Sequence, residues 1–169
     1  MEKFLYIALF APLIASLISA IFAFFKPLRI IGYFNSLLIF ISMLCSFYLF
    51  SYIYENNFAV EIVLFDWIVI GNLDLAFSFI LDHISAVMLL VVTIVSTMVH
   101  FYSIWYMSED IGFNRFFSYL SLFVFSMIVL VLADNFAVLF LGWEGVGVCS
   151  YLLIGFYYKK QKAQKAANE

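Results

Sequence analysis

Apolar residues run along this chain in five long stretches, Phe4 to Phe25, Ile30 to Tyr54, Ile84 to Tyr106, Phe116 to Ala133 and Phe136 to Tyr158. Each is close to the roughly twenty residues a helix needs to cross a hydrocarbon core. Backbone groups in lipid must be satisfied within the segment, and continuous helices do this. Proline is confined to Pro12 and to Pro27 in the first connection, so little interrupts the pattern. The pattern predicts an all-α, polytopic transmembrane helix bundle of about five helices.

Only one connection is long, from Glu55 to His83, and it carries Glu55, Glu61, Asp66, Asp74 and Asp82 without any Lys or Arg. Within it, Ala59 to Leu64 and the pair Gly71-Asn72 predict a short β-hairpin lying on the membrane surface. Basic residues gather elsewhere: Lys26 and Arg29 after the first helix, Arg115 between the third and fourth, and Lys159, Lys160, Lys162 and Lys165 after the fifth. The positive-inside rule places all of these in the cytoplasm, with the N-terminus and the acidic long loop outside an inner cell membrane and the C-terminus cytoplasmic. Lys3 is the one exception. Residues 159–169 then read as a basic cytoplasmic tail. The first apolar stretch follows Met1-Glu2-Lys3 but has no small-residue cleavage site, so it reads as a retained helix rather than a secretion signal.

Composition agrees: 67% of residues are hydrophobic and only 11% charged, whereas about a quarter are charged in soluble domains. A net charge of −3 with no basic stripe outside the tail argues against a nucleic-acid partner. Cys45 and Cys149 lie in different stretches without a neighbouring His or Cys at ligand spacing, so packing explains them better than a metal or redox role. No dinucleotide glycine fingerprint, P-loop or cysteine cluster occurs, and the chain is not expected to bind NADH, flavin or iron-sulfur clusters itself.

The candidate chemistry rests on Glu144, in Gly142-Trp143-Glu144-Gly145-Val146-Gly147, the single charge within the fifth stretch. A charge at mid-helix costs about 2.5–3.5 kcal/mol on insertion scales, so intramembrane carboxylates mark ion pathways or paired structural sites. Glu144 lies roughly 13 Å down its helix at 1.5 Å per residue, near the midplane. Burial disfavours an ionised carboxylate and a nearby cation favours it, so a movable cation would let such a group take up and release a proton. A structural glutamate holding helices together is the alternative. The flanking glycines at 142, 145 and 147 would let a neighbouring helix or water approach it, although close packing explains them as well.

On the third helix, His100 joins Thr93, Ser96, Thr97 and Ser103 in a polar stripe at spacings of three and four residues. Two readings stay open for His100: a proton relay, since a free imidazole titrates near physiological pH, or a neutral ring bonded to a neighbouring helix. The hydroxyls read as helix contacts. Asp82 suits a helix N-cap, Asp134-Asn135 marks a tight external turn with the same capping chemistry, and Arg115 is expected to snorkel to the interface. Trp105, Tyr106, Tyr157 and Tyr158 fall at helix ends like an interfacial belt.

Three longer runs make a family resemblance specific. Asp82-His83-Ile84-Ser85-Ala86-Val87-Met88 leads to Val91-Val92-Thr93-Ile94-Val95-Ser96 and His100-Phe101-Tyr102-Ser103; Arg115 to Leu120 and Leu130 to Asn135 follow; Gly142 to Phe156 closes the set. These resemble the core of the antiporter-like subunits of respiratory complex I, above all the largest of them, over essentially the whole chain. The resemblance implies a proton-translocating membrane-arm subunit in which Glu144 works with a lysine on a later helix. NADH, flavin, iron-sulfur clusters and quinone would belong to partner subunits of the same complex.

In that family the lysine and a second channel lie beyond the fifth helix, and Glu169 departs from the family's usual continuation. The chain therefore reads as an N-terminal portion, with a truncated tail, that is not expected to pump protons alone. Two rivals remain: the large subunit of a multisubunit cation/proton antiporter, which shares the glutamate motif, and a non-transporting structural or assembly fragment.

Overall fold

The computed structural model describes residues 1–25, 27–70 and 73–168. Its five long helices are α1 (Glu2–Ile21), α2 (Arg29–Asn56), α3 (His83–Tyr106), α4 (Phe113–Leu132) and α5 (Phe136–Ile154). All five are long and apolar enough to cross a membrane, α1 and α5 being extended by short 3-10 turns. Pro12 sits inside α1, which continues through it.

Helices α1 to α4 pack into one bundle, α1 against α2 and α4, and α3 against α2 and α4; α5 lies on the outside of α4. Leu9, Ile39, Leu49, Leu89, Ile128 and Leu132 form much of the apolar core. A smaller cluster of Ile104, Met107, Phe113, Phe117 and Phe156 closes the opposite end. Lipid tails are as apolar as leucine, so the helices need something besides hydrophobicity to hold them together. Close contact of small residues and buried hydrogen bonds supplies it. Ser16 donates to the Ser118 carbonyl at 3.0 Å and Ser118 donates to the Ser16 carbonyl at 3.1 Å, clamping α1 to α4. Ser42 of α2 donates to the Ala8 carbonyl of α1 at 2.7 Å.

The long connection is a two-stranded antiparallel sheet, β1 (Val60–Ile70) and β2 (Leu73–Leu81). The predicted hairpin is thus present, but its first strand runs well past Leu64, and the expected turn at Gly71-Asn72 lies outside the described residues. Register slips between Val63 and Phe65 and again between Asp66 and Ile68, leaving Leu64 and Trp67 as bulged residues that bend the ribbon. Buried Ile62, Phe79 and Leu81 press it onto the end of the bundle where α3 and α5 begin.

Two caps fix that end. Asp82 forms a capping box with Ser85, accepting from its backbone N–H at 2.7 Å while the Ser85 hydroxyl meets the Asp82 backbone N–H at 2.7 Å. The Ser85 N–H, foremost among its partners, holds the Asp82 carboxyl below the usual carboxylate range. Asn135 accepts from the Ala137 and Val138 N–H groups, both at 3.1 Å, and donates to the Ala76 carbonyl of β2 at 2.7 Å. One side chain thus starts α5 and fastens the hairpin. We expect Asn135→Ala to destabilise the protein by about 1–2 kcal/mol and to raise amide hydrogen exchange in β2 before it rises in α4; uniform exchange would count against this coupling.

At the other end, residues 161–168 form α6 (Gln161–Asn168), a short, largely exposed helix where the sequence suggested only a basic tail. Its alanines, lysines and glutamines are good helix formers.

Candidate functional site

Glu144 lies on the face of α5 that faces away from α4. Only 17% of the spanning stretch of α5 is buried, and Phe140, Leu141, Glu144, Gly147, Val148 and Tyr151 line its open side at helical spacing. Among the described residues, no ion pair or hydrogen bond reaches the Glu144 carboxylate. In a bilayer that position demands a partner from outside these five helices.

The three glycines divide between the two faces. A Cβ on Gly142 would lie 2.7 Å from the backbone nitrogen and Cα of Leu130, and one on Gly145 would lie 2.7 Å from the Ser126 hydroxyl. These two exist for the α4–α5 contact, away from the carboxylate. Gly147, one turn beyond Glu144, has nothing within 4 Å of such a Cβ. It alone leaves room for a helix or water beside the acid.

His100 is placed quite differently, at the centre of the bundle with 0% of its surface exposed. Its Nδ1 is 2.8 Å from the Ser96 carbonyl and its Nε2 is 3.2 Å from the Ser121 hydroxyl on α4. Ser121 donates to Asn35 Oδ1 on α2 at 2.9 Å, and Asn35 Nδ2 donates to Ser19 on α1 at 2.6 Å and to the Ile31 carbonyl at 2.7 Å. One buried polar chain therefore touches all four bundle helices. Other hydroxyls of the stripe turn back on α3 itself, Thr93 to the Leu89 carbonyl at 2.8 Å and Thr97 to the Thr93 carbonyl at 2.7 Å. They are buried where α3 meets its neighbours, in keeping with helix contacts, but their hydrogen bonds stay within α3.

Arg115 sits in the first turn of α4, where its Nη2 donates to the Phe156 carbonyl at 3.3 Å and its guanidinium lies 4.9 Å from the Phe156 ring centre, so it caps the C-terminal end of α5.

Residues 67–117 match the family model "NADH-Ubiquinone oxidoreductase (complex I), chain 5 N-terminus", and residues 133–169 match "NADH:quinone oxidoreductase/Mrp antiporter, TM". NADH-quinone oxidoreductase subunit L of Campylobacter jejuni is 49% identical over 169 residues, the whole of this chain and 27% of the relative. The chain belongs to the antiporter-like subunits of NADH-quinone oxidoreductase. The subunit L of Escherichia coli is 52% identical over 104 residues, covering 62% of this chain and 17% of that protein. This chain thus spans about a quarter of the length of the relatives it matches most fully. A solved chain of the membrane-bound sulfane sulfur reductase, an archaeal respiratory membrane complex, superposes with a TM-score of 0.74 at 18% identity, over 97% of this chain and 24% of that one. That likeness is one of fold.

Within this antiporter-like portion the two residues singled out from sequence are not brought together. Glu144 is on the open face of α5, and His100 is enclosed by α1 to α4. Asn35, Ser121 and Ser19, which complete the His100 chain, were not recognised from sequence. A signal existed: Asn35 is a lone amide inside the apolar run of α2, and such a group needs a partner for the same reason that Glu144 does. Among the described residues no group of three His, Cys, Asp or Glu side chains could hold a metal ion.

Proposed function

We propose that this chain serves proton translocation in the membrane arm of NADH:quinone oxidoreductase, with Glu144 as proton carrier and the quinone-reducing chemistry in partner subunits. The observation that carries the reading is the carboxylate in mid-span, on an open helix face, beside the one glycine that leaves space for a neighbour. An acid so placed changes its proton affinity when a cation approaches or withdraws. A lysine on a later helix is the partner we assign to it. NADH, flavin, iron-sulfur clusters and quinone are held by other subunits, and this chain holds none of them.

The acidic hairpin end and the basic end with Arg29, Arg115, Lys159 and Lys160 support an orientation with the N-terminus outside and the C-terminus in the cytoplasm of the inner cell membrane. The domain reading, residues 1–169 as the N-terminal portion of the subunit, is supported by the family model named for a chain N-terminus.

The test is Glu144→Gln in the full-length subunit within its complex, reconstituted in vesicles. Proton uptake should fall at least tenfold while NADH oxidation by uncoupled complex and subunit content change little. Normal pumping with altered assembly would overturn the reading and leave a structural role.

One finding favours a second reading: the second family model is described jointly for the quinone oxidoreductase and the Mrp antiporter. Cosedimentation of the full-length protein with small antiporter subunits, instead of NADH-oxidising ones, would select the antiporter.

A further inference from the structure

The chain formed by His100, Ser121, Asn35 and Ser19 can be followed proton by proton. All four side chains are 0% exposed, and they come from α3, α4, α2 and α1. A carbonyl has no proton to give, so the 2.8 Å contact with the Ser96 carbonyl assigns the proton of a neutral His100 ring to Nδ1. The orientation of Asn35 is fixed in the same way. Its nitrogen lies 2.7 Å from the Ile31 carbonyl and 2.6 Å from Ser19 Oγ, which uses both of its N–H groups. Its oxygen therefore faces Ser121 Oγ at 2.9 Å as an acceptor.

Ser121 has a single proton and two acceptors waiting for it. Donated to Asn35 Oδ1, it leaves Nε2 and Oγ facing each other at 3.2 Å with no proton between them. Donated to Nε2, it leaves the same defect between Oγ and Oδ1. A neutral ring thus gives two protons to three contacts, among side chains with no exposed surface, where an unmade hydrogen bond is costly. One more proton, on Nε2, satisfies every contact at once.

We propose that Nε2 of His100 is a buried proton-binding site whose loaded form is completed by Ser121 and Asn35. On loading, a proton from hydronium bonds to Nε2, and the Ser121 hydroxyl turns from Nε2 to Asn35 Oδ1. Nε2–H then donates to Ser121 Oγ, Ser121 donates to Asn35, and the imidazolium charge is met by the Ser96 carbonyl and the Ser121 oxygen. Unloading reverses the turn, so the hydroxyl's direction reports whether the site is filled. The charged residues described on the packed helices are Glu2 and Lys3 of α1, Arg29 and Glu55 of α2, and Arg115 of α4, all within a turn or so of helix ends. None of them bonds to the chain, nor does any tyrosine or cysteine of those helices, so Ser121 and Asn35 govern the site.

The use of such a site in transport rests on the proton-translocating reading above; its existence does not. The test uses this chain in lipid nanodiscs, labelled with nitrogen-15 histidine and carrying His83→Gln so that His100 is the single histidine. Solid-state NMR reads the fraction of rings protonated on both nitrogens through a pH series.

The unmodified ring should pass from one proton to two as pH falls. In Ser121→Ala the doubly protonated fraction should be lower at every pH within that transition, because Nε2–H loses its acceptor. Ser121→Thr, which keeps the hydroxyl, should restore it and guards against a folding defect. An equal or larger fraction in Ser121→Ala would mean that Ser121 does not complete the loaded ring, and a ring singly protonated throughout would mean that no site exists; either overturns the proposal. Loss of the Glu144 reading through normal pumping in Glu144→Gln would leave this result unaffected, and the two failures are separable.

Discussion

Replacing Gly142 by Leu is expected to detach α5 from α4. The contact is backbone to side-chain position: a Cβ at 142 would stand 2.7 Å from both the nitrogen and the Cα of Leu130. A flexible side chain could move aside, but a helix backbone inside a packed bundle cannot yield locally. Overpacking typically costs 1–3 kcal/mol, and a Leu against backbone lies at the upper end or beyond, about 3 kcal/mol. Because α5 packs mainly on α4, the loss should be local to α5 and the hairpin end that Asn135 ties to it. Cysteine accessibility along α5, or its hydrogen exchange in nanodiscs, should rise while α1 to α3 stay protected. Gly147→Leu is the control: that site is open, and the change should leave stability almost untouched. Equal effects at the two glycines would show that the α4–α5 approach is not what Gly142 provides.

Ser16→Leu should damage the opposite side of the bundle. The paired hydrogen bonds between Ser16 and Ser118 hold α1 against α4 at a separation that only small residues allow, with both side chains nearly inaccessible. Hydrogen bonds between membrane helices average about 0.6 kcal/mol each, so the pair supplies only ~1 kcal/mol. The bulk of leucine in the same space adds the larger part, for about 3 kcal/mol in total. Ser16→Ala removes only the bond that Ser16 donates, since Ser118 still reaches the Ser16 backbone carbonyl, and should cost about 0.6 kcal/mol. Unfolding midpoints in a fixed detergent should therefore fall in the order wild type, Ser16→Ala, Ser16→Leu. A Ser16→Ala midpoint as low as that of Ser16→Leu would show that the hydrogen bonds, and not the close approach, dominate.

Parts of this structure were legible in the sequence and parts were not, for identifiable reasons. The hairpin announced itself through Gly71-Asn72 and the stretch Ala59 to Leu64. That its first strand continues to Ile70 was not legible, because bulges at Leu64 and Trp67 interrupt the two-residue period that marks a strand. The helix starts at Asp82 and Asn135 were readable since capping depends on a few adjacent residues. What Arg115 meets at the helix end was not readable: the Phe156 carbonyl just beyond α5 is brought beside it only by the fold.

The residues around His100 show the limit most directly. A periodic polar stripe on α3 was visible, but a stripe says which face is polar and not what meets it. Asn35 and Ser121 are 86 residues apart, and nothing local to either points to the other.

By itself, the sequence determined the number of spanning helices, the acidic and basic ends, the cost of placing Glu144 in mid-span, and the family. These follow from the length of apolar runs and from the energy of charge in hydrocarbon, which are properties of single segments. The tertiary structure decided that Glu144 faces outward, that two of its neighbouring glycines serve α4, and that His100 joins a chain through four helices. Those outcomes depend on how the helices are rotated against one another, which is set by buried hydrogen bonds and close contacts between residues far apart in the chain.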